Sequence, residues 1–262
     1  MAHGNRRGRN ALMTDTGTEE DLGRAVGDLA GRGADKGTLT HAARLVARSM
    51  KAAGARSVAT GVWLAETLVD AIPHIPVRDA GILSTQHGGK TGDALAAEVV
   101  RAASHTTAGL GAVAGAVAGA QELAPPTWAA IPAELLAETL AVVAVEMKLV
   151  AELQEVYGMP VTGTPTERSA AIIRAWAESR GVTPRALLKP GGLAQVFGRG
   201  SRRELTRMLQ RRLAFRALRN TSALVPLMAG AVAGAELNRR ATRSLGEKVA
   251  NDLSSMQRTV RR

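Results

Sequence analysis

The residue whose surroundings could most readily support chemistry is a carboxylate, Glu146, within a long apolar segment. On a helical wheel of residues 132–157, Glu146 falls at the angle of Leu135, Leu153 and Tyr157, away from the other acidic residues. A carboxylate buried there needs a partner or takes a raised pKa, and it could then act as an acid or a base. The alternatives that we favour are an ion pair with an arginine of the C-terminal third or a position near a groove opening, because structural ion pairs mimic functional ones.

The segment Gly88-Gly89-Lys90-Thr91 shares its last residues with a phosphate-binding loop. The full motif also needs a glycine where Ser84 stands, and it follows a buried strand. Residues 80–83 are too short for such a strand and lie in a chain of helical pattern. We therefore predict a polar turn that caps the next helix through Thr91.

The histidines do not form a recognisable metal or catalytic motif. None of the five stands three residues after a glutamate, and the sequence holds neither His-Glu-x-x-His nor Gly-x-Ser-x-Gly. Cysteine is absent, which excludes disulfides and thiolate ligands and fits a reducing compartment. The sequence predicts no metal, no cofactor and no enzymatic activity.

Charge is distributed unevenly along the chain, which carries a net charge of +11. Residues 1–60 carry +4, residues 61–167 carry −8 and residues 168–262 carry +15. The densest basic segment is Arg199–Arg219. Its arginines form two helical stripes, one spaced i, i+4, i+8 and one following it: Arg203, Arg207 and Arg211, then Arg212, Arg216 and Arg219.

Such stripes fit an anionic membrane surface, an acidic protein partner or nucleic-acid phosphates. No aromatic residues alternate with the arginines, which argues against single-stranded nucleic acid. The simpler alternative, which we favour for this segment, is that the arginines neutralise acidic residues of the same fold. Those acids lie in one polar arc of the helix predicted over residues 132–157, an arc that contains Glu134, Glu138, Lys148, Glu152 and Glu155.

All these residues must be positioned by helices. The chain has six aromatic residues and is rich in Ala, Leu and Val, a composition that suits closely packed helices better than sheets. We predict an all-α fold of about eight to ten helices. No run of about 18 uncharged apolar residues is present, so a conventional membrane-spanning helix is not supported.

Proline, glycine and capping residues predict the organisation of the chain. Residues 1–17 read as a disordered basic tail, residues 18–76 as an N-terminal helical region with a break near Gly54, and residues 77–262 as a helical domain. Gly158 is expected to end the helix over residues 132–157. Capping boxes begin further helices, one at Thr164 and one at Ser201.

Two segments carry glycines four residues apart, which places them on one helix face. These small-residue stripes let another helix backbone approach closely, and they predict two helices that pack on each other. The stripes consist of Gly111, Gly115 and Gly119 in one segment, and Gly230 and Gly234 in the other.

The stretch Glu146–Gly158, with its Lys, Val and Leu residues before Tyr-Gly, resembles a helix of the EcsC-like and YcjF-type families. The later Pro226, Gly230-Ala231, Gly234-Ala235, Asn238, Thr242 and Gly246 are similar to their closing segment. The resemblance covers roughly residues 125–250. It implies a helical domain that is often membrane-associated, sometimes attached to GTPases or encoded near transporters, with no accepted catalytic residues to carry over.

These observations predict a non-enzymatic helical interaction protein, cytoplasmic and peripheral to the inner face of the cell membrane. The alternative is a nucleic-acid-associated basic protein that uses the Arg-rich helix 199–219. Both predictions depend on arginines of the last third projecting outward.

Overall fold

The computed structural model describes residues 4–33, 35–60, 62–118, 133–180 and 227–260. Within these ranges it contains eight α-helices, one short 3-10 helix and no strand, which confirms the predicted all-α fold. The α-helices are α1 Gly4–Arg32, α2 Lys36–Thr60, α3 Val62–Ala71, α4 Ala80–Gln86, α5 Gly92–Ala118, α6 Ala133–Val156, α7 Pro165–Ser179 and α8 Leu227–Val260, with the 3-10 helix at Ile72–His74.

Helix α6 is the centre of the fold. Every residue from Leu136 to Leu153 is buried, and α1, α2, α3, α5, α7 and α8 all pack against it. A helix surrounded in this way has no solvent face along this stretch, so the part of its polar arc between Leu136 and Leu153 does not lie at the surface. The charged residues of the arc that fall within this stretch are buried: Glu138, Lys148 and Glu152.

The first helix begins earlier than predicted. Helix α1 starts at Gly4 and not after Thr18, so it includes most of the segment 1–17 that the sequence indicated as a disordered tail. Once a helical nucleus exists, each further residue adds one hydrogen bond at little cost, and Ala11, Leu12 and Met13 propagate helix well. The helix ends at Arg32, and Gly33 follows it with φ of 81°.

The breaks between helices follow the glycines and prolines. Gly54 interrupts α2 with φ of 81° and ψ of 155°, at the predicted position. Gly158, with φ of 70°, follows α6. Thr164 and Glu167 form the predicted capping box of α7. The second capping box, at Ser201, lies outside the described residues.

The predicted boundary after residue 76 does not separate two cores in the described part of the chain. Helices α1, α2 and α3, which belong to the predicted N-terminal region, pack on α6, which belongs to the predicted second domain. Their buried side chains join one continuous hydrophobic core. The N-terminal helices α1, α2 and α3 therefore cover one side of α6.

Helices α5 and α8 form the closely packed pair that the glycine stripes predict. A Cβ added to Gly111 would lie 2.6 Å from the carbonyl oxygen of Gly234, so the two backbones are in contact. Near the other end of the pair, a Cβ on Gly246 would meet Val100 at 2.7 Å. Residue numbers rise along α5 as they fall along α8, so the two helices are antiparallel. The surroundings of Gly115, Gly119 and Gly230 lie outside what the structure describes.

Candidate functional site

The buried carboxylate Glu146 lies where α6, α7 and α8 meet. Its side chain is fully buried, and it accepts hydrogen bonds from Trp176 Nε1 at 3.1 Å and from the Thr242 hydroxyl at 3.3 Å. The guanidinium of Arg180, at the end of α7, completes an ion pair with it. Arg180 belongs to the basic C-terminal third, so the pairing agrees with the structural role that we favoured for Glu146.

A second buried carboxylate, Glu138, is linked to Glu146 through a chain of hydrogen bonds. Asn238 Nδ2 on α8 donates to Glu138 at 2.9 Å, and the Asn238 carbonyl lies 3.4 Å from Thr107 Oγ1 on α5. Thr107 Oγ1 donates to Thr242 Oγ1 at 3.0 Å, and the Thr242 hydroxyl donates to Glu146. These hydrogen bonds compensate for the lost hydration of two carboxylates, and they fix the register of the α5–α8 pair on α6.

The third buried carboxylate of α6, Glu152, is bound by Arg78 from the loop before α4. Arg78 donates through Nε at 2.7 Å and through Nη2 at 2.8 Å, one bond to each carboxylate oxygen. This bidentate pair raises the pKa of Arg78 through its hydrogen bonds to Glu152. Lys148 Nζ lies 3.8 Å from Glu152, and burial lowers the pKa of that lysine.

Sequence reasoning missed the partner of Glu152, because it assigned the acidic arc to the arginines of residues 199–219. Arg78 lies 74 positions before Glu152, so no spacing rule connects the two. One signal was present: Arg78 is the only Lys or Arg between residues 57 and 89. An isolated cation in a long uncharged or acidic stretch is a reasonable partner for a buried acid.

The Gly-Gly-Lys-Thr segment forms a turn between two helices. Gly88 and Gly89 have φ of 68° and 78°, and helix α4 precedes them where a phosphate-binding loop would have a strand. Lys90 Nζ donates to Glu98 at 2.5 Å. The carbonyl of Thr91 accepts the first hydrogen bond of α5, from Leu95 N. The segment therefore behaves as the predicted polar turn.

A cavity of about 590 Å³ lies between α5 and α8, beside the loop that follows α6. Its polar side chains include Arg101 and His105 of α5 and Arg239 and Arg243 of α8. Tyr157 closes one end, and its hydroxyl donates to Asp93 Oδ1 at 2.8 Å. This basic cavity was not predicted from the sequence, since its two walls are more than 100 residues apart.

The arginines predicted as a binding surface lie outside the described residues: Arg203, Arg207, Arg211, Arg212, Arg216 and Arg219. Within the described ranges, no three His, Asp or Glu residues cluster as metal ligands would. None of the helices described is both long and apolar enough to cross a bilayer.

Comparison with known proteins found none that is similar to this chain. No family model matches it, and neither the curated proteins nor the solved structures gave a match.

Proposed function

We propose that this protein is a non-enzymatic interaction protein that binds an anionic membrane surface, at the inner face of the cell membrane, through the basic segment 199–219. The observation that carries the proposal is a local charge surplus. Residues 181–226 contain ten Lys or Arg residues and one acidic residue, Glu204. Such a segment attracts anionic lipid over a Debye length of about 8 Å at physiological salt.

The internal alternative for these arginines is weakened by the pairing of Glu152. Both oxygens of that carboxylate are bound by Arg78, and Lys148 lies beside it. One of the four acids that the arginine stripes were expected to neutralise is therefore already paired from the N-terminal side. A basic segment with fewer internal partners has more charge available for an external one.

The non-enzymatic part of the proposal is supported by the roles of the buried charged groups. Glu146 is paired with Arg180, at the end of α7, and Glu152 is paired with Arg78, in the loop before α4, so each pair holds a second segment against α6. These carboxylates lie in packed interiors, where substrate would have to displace core side chains. Their arrangement serves helix packing.

Sedimentation with vesicles tests the proposal. We expect the protein to pellet with phosphatidylcholine vesicles that contain phosphatidylglycerol, and to remain in the supernatant with phosphatidylcholine alone. Salt should reverse the association, because the attraction is electrostatic. A variant with Arg203, Arg207 and Arg211 changed to Gln should lose most of it.

The matched control changes three arginines elsewhere to Gln: Arg24, Arg44 and Arg258, all of them exposed. It removes the same charge, so a general loss of positive potential would weaken both variants alike. The membrane proposal fails if the vesicles do not bind the protein, or if the two triple variants bind equally. Retention on duplex DNA with a steep salt dependence, and no vesicle binding, would support the nucleic-acid alternative.

A further inference from the structure

The cavity between α5 and α8 has the form of a ligand site. Its volume of about 590 Å³ lies within the range of about 300–1,000 Å³ typical of small-molecule pockets. Small apolar side chains, Ala97, Val100 and Ala250, contribute to its lining, together with polar and charged groups from both helices. We call it the α5–α8 groove.

The register of the two helices brings basic residues opposite each other. Gly111 meets Gly234, and Thr107 Oγ1 contacts the Asn238 carbonyl. A step of four residues back along α5 therefore corresponds to a step of four residues forward along α8. The pairs Arg101–Arg243 and His105–Arg239 lie within one residue of the same register, and all four residues line the same cavity. Arg101 and Arg243 carry like charges, which repel across the groove, and a bound anion would relieve that repulsion.

The guanidinium groups of the groove keep donors for a ligand. Within the described residues, Arg101 donates through Nη1 to Glu98, and Arg243 donates through Nε to Glu247. Arg239 uses Nε and Nη2 on Glu236. A guanidinium has five N–H donors, so each arginine has several left. All three ion pairs join residues three or four apart on one helix, and such surface pairs are weak.

Two carboxylates also line the groove, and both have partners. Asp93 accepts the hydroxyl of Tyr157 at 2.8 Å, and Glu247 accepts Arg243 Nε at 2.7 Å. Asp93 lies at the Tyr157 end, eight residues before Arg101 on α5. The facing pairs Arg101–Arg243 and His105–Arg239 therefore form a basic stretch along the groove.

We infer that the α5–α8 groove binds a phosphate group, carried by a small molecule or by a lipid headgroup, through Arg101, Arg239 and Arg243. Arginine recognises phosphate oxygens through paired N–H donors, and a phosphate monoester carries enough charge to engage guanidinium groups from both helices. The small side chains leave room for the group to which the phosphate is attached. The inference goes beyond the proposed function, because it uses none of residues 199–219.

Titration calorimetry of the full chain with glycerol 3-phosphate tests this site, with ionic strength held constant by potassium chloride. We expect saturable binding that Arg243→Gln or Arg101→Gln weakens about tenfold or more, because a charge-assisted bond to phosphate is lost. Arg24→Gln is the matched control, since Arg24 is also exposed and paired along its own helix with Glu20 and Asp21. It should leave binding unchanged.

Vesicles of phosphatidylcholine with phosphatidic acid distinguish the two sources of phosphate. If glycerol 3-phosphate binds and the Arg243→Gln variant sediments with vesicles as the wild type does, the ligand is a soluble molecule. Weaker vesicle sedimentation of Arg243→Gln, with no saturable binding of glycerol 3-phosphate, supports a lipid headgroup. The inference is overturned if glycerol 3-phosphate does not bind and Arg243→Gln sediments like Arg24→Gln. If the variant with Arg203, Arg207 and Arg211 changed to Gln sediments like the wild type, that result contradicts the proposed function and leaves the groove inference unaffected.

Discussion

Gly111 of α5 and Gly234 of α8 face each other with no room for a side chain between them. A Cβ on Gly111 would lie 2.6 Å from the carbonyl oxygen of Gly234, and a Cβ on Gly234 would lie 2.8 Å from the carbonyl oxygen of Gly111. Both distances are to backbone atoms, which cannot rotate away as a side chain can. The two helices therefore depend on glycine at this crossing.

Replacement of Gly111 with Ala should force the two backbones apart. We expect the free energy of unfolding to fall by about 1–3 kcal/mol, as for overpacking in a close-packed interior. Urea denaturation followed by circular dichroism measures it. Gly109→Ala is the control on the same helix, because an added Cβ there meets no atom within 4 Å. It should raise stability by up to about 1 kcal/mol through helix propensity. Equal effects of the two substitutions would contradict the close crossing.

Replacement of Arg180 with Gln should lower the free energy of unfolding, because Glu146 is buried. The carboxylate keeps its bonds to Trp176 and Thr242 but loses the charge of Arg180, and we expect the free energy of unfolding to fall by about 3 kcal/mol. Adding Glu146→Gln should recover part of that loss, since the buried negative charge is then removed as well. Tryptophan fluorescence during denaturation reports both changes. Arg168→Gln, at an exposed position of the same helix, should change stability by less than about 0.5 kcal/mol.

Replacement of Arg78 tests the bidentate pair with Glu152. Arg78→Gln leaves the buried carboxylate with Lys148 at 3.8 Å, and we expect a loss of about 3 kcal/mol. Arg78→Lys should lose less, because it keeps the charge but not the paired donors. Thermal unfolding would rank the wild type, the Lys variant and the Gln variant in that order. A Lys variant as stable as the wild type would show that charge alone suffices.

Tyr157 predicts a loss of stability in alkaline solution. Burial, and then the hydrogen bond to Asp93, raise the pKa of its hydroxyl above the usual value of about 10. The unfolded chain releases this proton near pH 10 while the folded chain still holds it, so the free energy of unfolding falls as the pH rises above about 10. Tyr157→Phe should remove this part of the alkaline loss. Tyr157 is the only tyrosine, so tyrosinate absorbance reports its ionisation directly, and a midpoint near 10 in the folded protein would contradict the expectation.

Features that depend on local chemistry could be predicted from the sequence. The turn at Gly158, the break at Gly54 and the capping box at Thr164 each follow from the backbone preferences of a few adjacent residues. The α5–α8 pair also followed from spacing, because small residues four apart leave few other ways to pack.

Features that depend on several distant segments could not be predicted. The helical wheel separates the polar arc of α6 from its apolar face, but it does not show that helices cover every side. The partners of Glu138 and Glu152, Asn238 and Arg78, lie 100 and 74 positions away. Periodicity within one helix carries no information about contacts at such separations.

The order of synthesis gives the α5–α8 pair a further significance. Thr107 and Asn238, which touch across it, are separated by 131 positions. More than a hundred further residues therefore leave the ribosome before α8 can pack on α5. A nascent or prematurely terminated chain that lacks α8 therefore presents uncovered backbone at Gly111, together with a Glu138 carboxylate that lacks its hydrogen bond from Asn238. Uncovered backbone of this kind is a feature by which a quality-control protease would distinguish such a fragment from a chain whose α8 is in place.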